Sequence, residues 1–132
     1  MLSNAGIISF VVGGATPIPA GSRVKFDVNT VNSVVVCGHA DQEIGTAILY
    51  SGKNVYAVGD AIGVKLNNAP GTRTVIVGAV FALGAEPLAL LRDDNGQVSP
   101  TGAGTAYAIA LEAPQAVGDM VEALAGPPFT LP

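Results

Sequence analysis

Ala57-Val58-Gly59-Asp60 occurs twice, and that repetition constrains the fold more than any other feature of the chain. Ala116-Val117-Gly118-Asp119 repeats it letter for letter, at an offset of 59 residues. The same offset carries Gly45-Thr46-Ala47 onto Gly104-Thr105-Ala106 with no gap between the two matches. Identities in two blocks at one spacing point to an internal duplication. Each copy reads as a Gly-Thr-Ala strand start, a spacer, a Val-Gly-Asp turn and a second apolar strand.

The turn chemistry is coherent. Glycine reaches positive φ at little cost, and aspartate bonds its own neighbouring backbone. After the first turn, Ile62, Val64 and Leu66 share one face at period two, with Ala61, Gly63 and Lys65 on the other. After the second, Val121, Ala123 and Ala125 take the apolar face. Residues 104 to 125 alone carry Ala, Leu and Glu and could be helical. The first copy, built on Ile, Val and Gly, is a poor helix. A shared fold therefore predicts β structure in both.

A chain of 132 residues predicts one domain with a core of its own. Cys37 is the only cysteine, so no disulfide can form within the chain, and a lone thiol fits a reducing compartment. The formal net charge is −4 and the six Lys and Arg are scattered, so no basic patch for nucleic acid is expected. Tyr50, Tyr56 and Tyr107 are too separated to form a base-stacking platform. The chain is rich in Gly, Pro, Ala and Val and poor in charge. Its surface must be small and apolar, which favours a protein that covers surface against copies of itself or a partner.

No membrane segment is expected. Met1 to Ser22 is uncharged and long enough to span a bilayer, but Gly13-Gly14, Pro17 and Pro19 interrupt it. No Lys or Arg precedes the apolar residues 5 to 14, which argues against a signal peptide. The apolar stretch between Arg73 and Glu86 is too short to span.

In chain order, Ile7 to Val12 reads as an N-terminal arm or edge strand. Arg23 to Val28 alternates, with Val24, Phe26 and Val28 facing in and Arg23, Lys25 and Asp27 facing out. Ser33 to Cys37 is a β-branched run covered on both faces. Strands follow at 44 to 50 and Val55 to Ala57. A long apolar strand is predicted over Thr72 to Leu83, kinked at Gly78. Asp93-Asp94-Asn95-Gly96 signals a hairpin between Leu88–Arg92 and Gln97–Ser99, with Asn95 and Gly96 both at positive φ. A short helix fits best at Ala113 to Ala116 or near Asp41. The prolines of Gly126 to Pro132 predict an extended tail. Many short strands with frequent turns make this an all-β chain, a single small sandwich or barrel with an internal duplication and extended terminal arms. The expected division is an arm or edge strand at 1–17, a β domain at 18–125 and a tail at 126–132.

Constellations that could carry chemistry are thin. Cys37, His39, Asp41 and Glu43 alternate, and one strand face would hold all four, as a metal site or with Cys37 and His39 as nucleophile and base. Gly38 breaks the strand that such a site needs, so no metal, cofactor or catalytic site is expected here. Asp93 to Gly96 lacks the ligand alternation and closing Glu of a calcium loop. Gly13-Gly14-Ala15-Thr16 has no following Lys and runs into Pro17, which rules against a phosphate loop.

The sequence Ala20-Gly21-x-x-Val24, Ile44-Gly45-Thr46-Ala47, Val58-Gly59-Asp60-Ala61-Ile62-x-Val64, Asn95-Gly96-x-Val98, Gly104-Thr105-Ala106 and Val117-Gly118-Asp119-x-Val121 resembles the small β-rich capsid decoration, or cement, proteins of tailed bacteriophages. The resemblance covers roughly residues 18 to 125 and rests on turn chemistry. It implies a non-enzymatic virion protein, made in the host cytoplasm and seated on the outer capsid surface at symmetry axes. Its partners would be the major capsid protein and itself, as a trimer or a dimer, with no cofactor, nucleic acid or membrane. The family offers no catalytic residues to carry over. The alternative reading is a β-rich ligand- or glycan-binding module, against which the absence of Trp counts.

Overall fold

Short runs of β-branched and small residues, punctuated by Gly, Pro, Asn or Asp, build twelve strands among the described residues. The structure, a computed structural model, describes residues 6–38, 41–49, 53–69, 71–85, 87–92, 95–101 and 104–131. The strands are β1 (Ile7–Val12), β2 (Ile18–Pro19), β3 (Arg23–Phe26), β4 (Ser33–Val36), β5 (Gly45–Ala47), β6 (Val55–Tyr56), β7 (Ala61–Leu66), β8 (Thr72–Ile76), β9 (Ala89–Arg92), β10 (Val98–Ser99), β11 (Gly104–Ala110) and β12 (Met120–Leu131). The chain is all-β, as expected, and neither Ala113–Ala116 nor the described residues around Asp41 are helical.

The first five-stranded sheet closes into a barrel in the order β1-β4-β3-β5-β7 and back to β1. Every pairing is antiparallel except β1 with β4. Val12, Val24, Val34, Ala47, Ile62 and Val64 fill it, and Ile18, Ala20 and Tyr56 from the β2–β6 ribbon join the same cluster. The Tyr56 hydroxyl donates to the Ile48 carbonyl at 2.8 Å, which satisfies the one polar atom that this aromatic brings inward.

The second sheet runs β10-β9-β11-β12-β8. Its two ends meet at one place, a parallel bridge between Val77 and Val98. Val75, Val77, Leu90, Val98, Ala108, Ala110, Val121 and Ala123 form its core.

The two sheets have the same circuit. The β1–β7 register, Ile7↔Lys65 to Val11↔Ala61, reappears as Thr72↔Leu124 to Ile76↔Met120. The parallel pair Val12↔Val34 reappears as Val77↔Val98, and Gly13 and Gly78 each donate to the carbonyl of that valine partner, at 2.9 and 2.7 Å. Val24↔Gly45 becomes Leu90↔Ala108, and Ala47↔Val64 becomes Ala110↔Ala123. Asn32 and Gly96, just before β4 and β10, both take positive φ, 61° and 74°. The duplicated unit is therefore a whole five-strand circuit. One part of the sequence match is corrected: Gly45-Thr46-Ala47 is equivalent to Ala108-Ile109-Ala110, four residues beyond Gly104-Thr105-Ala106. A register shift between Ala106 and Ala108 marks the extra length of β11.

Other expectations are corrected too. Residues 7–12 are paired on both sides, with β4 and with β7, so this stretch is neither a free arm nor an edge. Residues 126–131 continue β12, and Phe129, Thr130 and Leu131 pair with Ala106, Thr105 and Gly104. The strand expected over Thr72 to Leu83 stops at Ile76, because Val77 and Gly78 turn to bond β10 and the Asp119 carbonyl. The β9–β10 hairpin forms, but residues 93–97 connect it and Asn95 does not take positive φ; Gly96 alone does. Asp93 and Asp94 lie outside the described residues.

Candidate functional site

The two Val-Gly-Asp turns share a set of hydrogen bonds, to which Asp119 adds one from the Gln115 N–H at 2.9 Å. The Asp60 and Asp119 carboxylates accept the N–H of Ala57 and Ala116, each at 3.0 Å. Gly59 and Gly118 have φ of 91° and 93° and donate to the Val12 and Val77 carbonyls at 3.0 and 2.9 Å. A side chain at either glycine would meet open space, so positive φ and not crowding selects glycine. The turns hold Val58 and Val117 outward, 47% and 62% exposed. Lys53 pairs with Asp60 at 2.9 Å, and together with the Ala57 N–H it holds that carboxyl below the usual carboxylate range.

A second apolar surface lies at the rim of the first barrel. Val24 faces in as expected, but Phe26 is 55% and Val28 94% exposed. Here β3 ends, so side chains on the inward phase pass the rim and leave the core. Phe10 meets Phe26 edge to face, with ring centroids 5.9 Å apart. Val31 is also exposed, in the turn before β4. Beside these side chains runs an open groove of about 650 Å³, lined by Lys25, Phe26, Val28, Asp41 and Ile44 among others. Lys25 and Asp41 pair across it at 2.8 Å, which raises the Lys25 ammonium above its ordinary value.

Arg23, expected to face out, is instead buried. Its guanidinium donates to Glu43, to Thr46 Oγ1 at 2.5 Å and to Asn67 Oδ1 at 2.7 Å, while its N–H donates to the Gly96 carbonyl at 2.7 Å. The alternation is right for the barrel wall, but the second sheet covers its outer face. Arg73, at the start of β8, is buried in the same region and donates to the Leu66 and Ala69 carbonyls at 3.0 and 2.8 Å. Burial, and then the neighbouring Arg23 charge, lower its pKa to about 10. These groups act as a polar seam between the two halves. No sequence signal joined them, since Arg23 and Glu43 stand twenty residues apart with no shared pattern.

The alternating cluster does not converge. Cys37 is buried, and its Sγ donates to the Gly38 and Asp41 carbonyls at 3.4 and 3.8 Å. Asp41 turns to Lys25 and Glu43 to Arg23, while His39 lies outside the described residues. Among the described residues no three His, Cys, Asp or Glu side chains gather as a metal site. No helix among them is long and apolar enough to cross a membrane, which says nothing about strands.

The arrangement offers apolar surface on rigid strands and turns, and comparison with solved structures places it. The fold resembles that of a phage head fibre base. The crystal structure titled head fiber gp8.5 N base in bacteriophage phi29 superposes with a TM-score of 0.59 over 91% of this chain and 94% of that one. Identity is 20%, a level at which the likeness is one of fold. No protein-family description matches the sequence, and no curated protein matches it. The head fibre base and the decoration proteins named from the turn pattern are both phage head proteins.

Proposed function

We propose that this chain is a structural protein of a bacteriophage virion, a capsid decoration or cement protein that binds the outer capsid surface at symmetry axes. The fold likeness to a phage head fibre base, over nearly the full length of both chains, carries the reading. The surface chemistry supports it. Val28, Val31, Val58 and Val117 stand exposed on backbone fixed by ladders and turn hydrogen bonds, so little ordering entropy opposes their docking. The partners are the major capsid protein and further copies of this chain, a trimer being favoured. Each copy needs only modest affinity, because an oligomer that touches several coat subunits makes its later contacts intramolecular. Binding to the assembled lattice and not to free subunits then stabilises the shell by mass action.

The test is to mix purified protein with undecorated capsids. Density at local symmetry axes and a higher capsid melting temperature are expected. Unchanged melting at saturating protein, with no lattice-bound density, sinks the proposal.

A further inference from the structure

Besides the Gly96–Arg23 joint, the two halves meet through a contact of β8 on β5 and β7, and the counterparts of its two faces stay exposed. The outer face of β5 and β7 in the first half, around Thr46 and Lys65, is covered by β8 of the second half. Thr46, Lys65, Thr72, Arg73 and Thr74 line the cleft between them, and Lys65 Nζ donates to the Thr72 carbonyl at 2.9 Å. Further along β8, Ile76 N–H donates to the Gly21 carbonyl at 3.2 Å, and Ile76 is only 6% exposed.

Register identifies the counterparts. Thr46 and Lys65 correspond to Ile109 and Leu124 on β11 and β12. Ile109 is half-buried, Leu124 is 39% exposed and its neighbour Leu111 is 47% exposed, so Leu124 puts an apolar side chain where the first half has Lys65, while exposed Glu122 stands beside it where the first half has Gly63. On the other side, Thr74 and Ile76 correspond to Ser9 and Val11 on β1, and Val11 is 41% exposed where Ile76 is covered. The chain thus ends in an uncovered socket and an uncovered plug of one kind of contact.

We propose that the Ile109–Leu111–Leu124 face takes the Ser9–Val11 face of β1 from a second copy of this chain. The occupant is fixed by the internal contact, in which the same circuit already covers this position with the strand equivalent to β1. The contact is heterologous: each copy presents one socket and one plug, and copies add until a ring closes. Leu124 against Val11, with Leu124 in place of the Lys65 of the internal seam, adds apolar area to the joint, and Ser9 and Glu122 put polar groups at its side. The inference deepens the self-association in the proposed function and does not depend on capsid attachment.

The experiment uses the full chain in solution without capsids. Native mass spectrometry and light scattering should give one discrete oligomer. Leu124→Glu and Val11→Glu, on opposite faces, should each weaken assembly at least tenfold while far-UV circular dichroism stays unchanged. A mixture of the two variants should form a one-to-one dimer, because one intact socket meets one intact plug. A wild-type chain that stays monomeric at its highest soluble concentration overturns the proposal. So does an oligomer that Val11→Glu leaves intact, since that marks a symmetric β12 contact. Should Leu124→Glu fail to fold, Ile109→Asp and the Val11→Glu arm carry the same readout. A discrete oligomer that does not decorate capsids defeats the cement reading and leaves this one standing.

Discussion

The first barrel closes through five complete ladders, whereas the second closes through a single bridge at Val77 and Val98. Both use the same circuit and the same turn. The difference lies in what fills them and what covers them. Ile62 and Val64 in the first core stand where Val121 and Ala123 stand in the second, so the equivalent strand of the second core carries smaller side chains. Tyr56 and Ile18 add a cap to the first core, from a ribbon with no counterpart among the described residues of the second. The outer face of the first is sealed by a buried Arg23–Glu43 pair, while the equivalent face of the second is open, with Leu111, Glu122 and Leu124 exposed. Duplicated register preserves topology; the side chains placed on it decide which half is a closed core and which half presents a surface.

The seam gives the largest effect. Arg23→Ala leaves Glu43 buried without its main partner, and should cost about 3–5 kcal/mol. Replacing both, as Arg23→Met with Glu43→Leu, should recover part of that loss, because neither member of the pair is then left buried without the other, although buried Arg73 loses the nearby Glu43 charge. Ala89, the counterpart of Arg23 in the second half, should tolerate change to Ser with little effect on melting. If denaturant midpoints show Arg23→Ala as mild as the Ala89 variant, the seam does not hold the halves together.

Gly96→Val comes next. The backbone there has φ of 74°, and an added Cβ would lie 2.7 Å from Val36 Cγ1 and 2.8 Å from the Arg23 carbonyl oxygen. Strain of this kind costs about 1–3 kcal/mol. Thermal melting checks it, and an unchanged midpoint would break the assignment of Gly96 as a joint between halves.

Core size sharpens the comparison at a smaller scale. Val64→Ala gives the first barrel the side chain that the second has at Ala123, and should destabilise by about 1–3 kcal/mol as its fully buried site loses two methyls. Ala123→Val should cost less or stabilise if the second core has room. Equal losses from both would show that the two cores are equally tight. Hydrogen exchange adds an independent check, with earlier opening expected at β10 than at β4.

Much of the fold was legible because it follows local rules. The period-two pattern at Ile62–Val64–Leu66, the Gly59-Asp60 turn and its repeat at Gly118-Asp119 all work through neighbours in sequence. What was not legible depends on segments far apart in the chain coming together and on where a strand ends. Arg23 reads as solvent-facing until Glu43, Thr46 and Asn67 close on it. Phe26 and Val28 read as core until the barrel rim cuts β3 short. Ile7 to Val12 reads as an arm because its partners, Val34 and Lys65, lie far along the chain. The Gly-Thr-Ala match was misleading for the same reason. Identical letters at one offset fall four residues out of structural register, and only strand pairing reveals it.

The turn aspartates give the smallest effect and the closest comparison of the two halves. Asp60 and Asp119 accept the equivalent Ala N–H at the same distance, but Asp60 also pairs with Lys53 and Asp119 also accepts the Gln115 N–H. Both sites are open to water, so the ion pair contributes little and screens with salt. Its signature is in titration. The folded pKa of Asp60 lies below the ordinary 3.8, so its contribution is present above that value and is lost as pH falls through the lower folded one. Carboxyl-carbon NMR of the native chain should show Asp60 titrating below 3.8. Lys53→Met should move its midpoint upward, since the lysine is the largest cause of the depression. A midpoint for Asp60 that ignores Lys53→Met would show that the Ala57 N–H, and not the ion pair, holds the carboxylate.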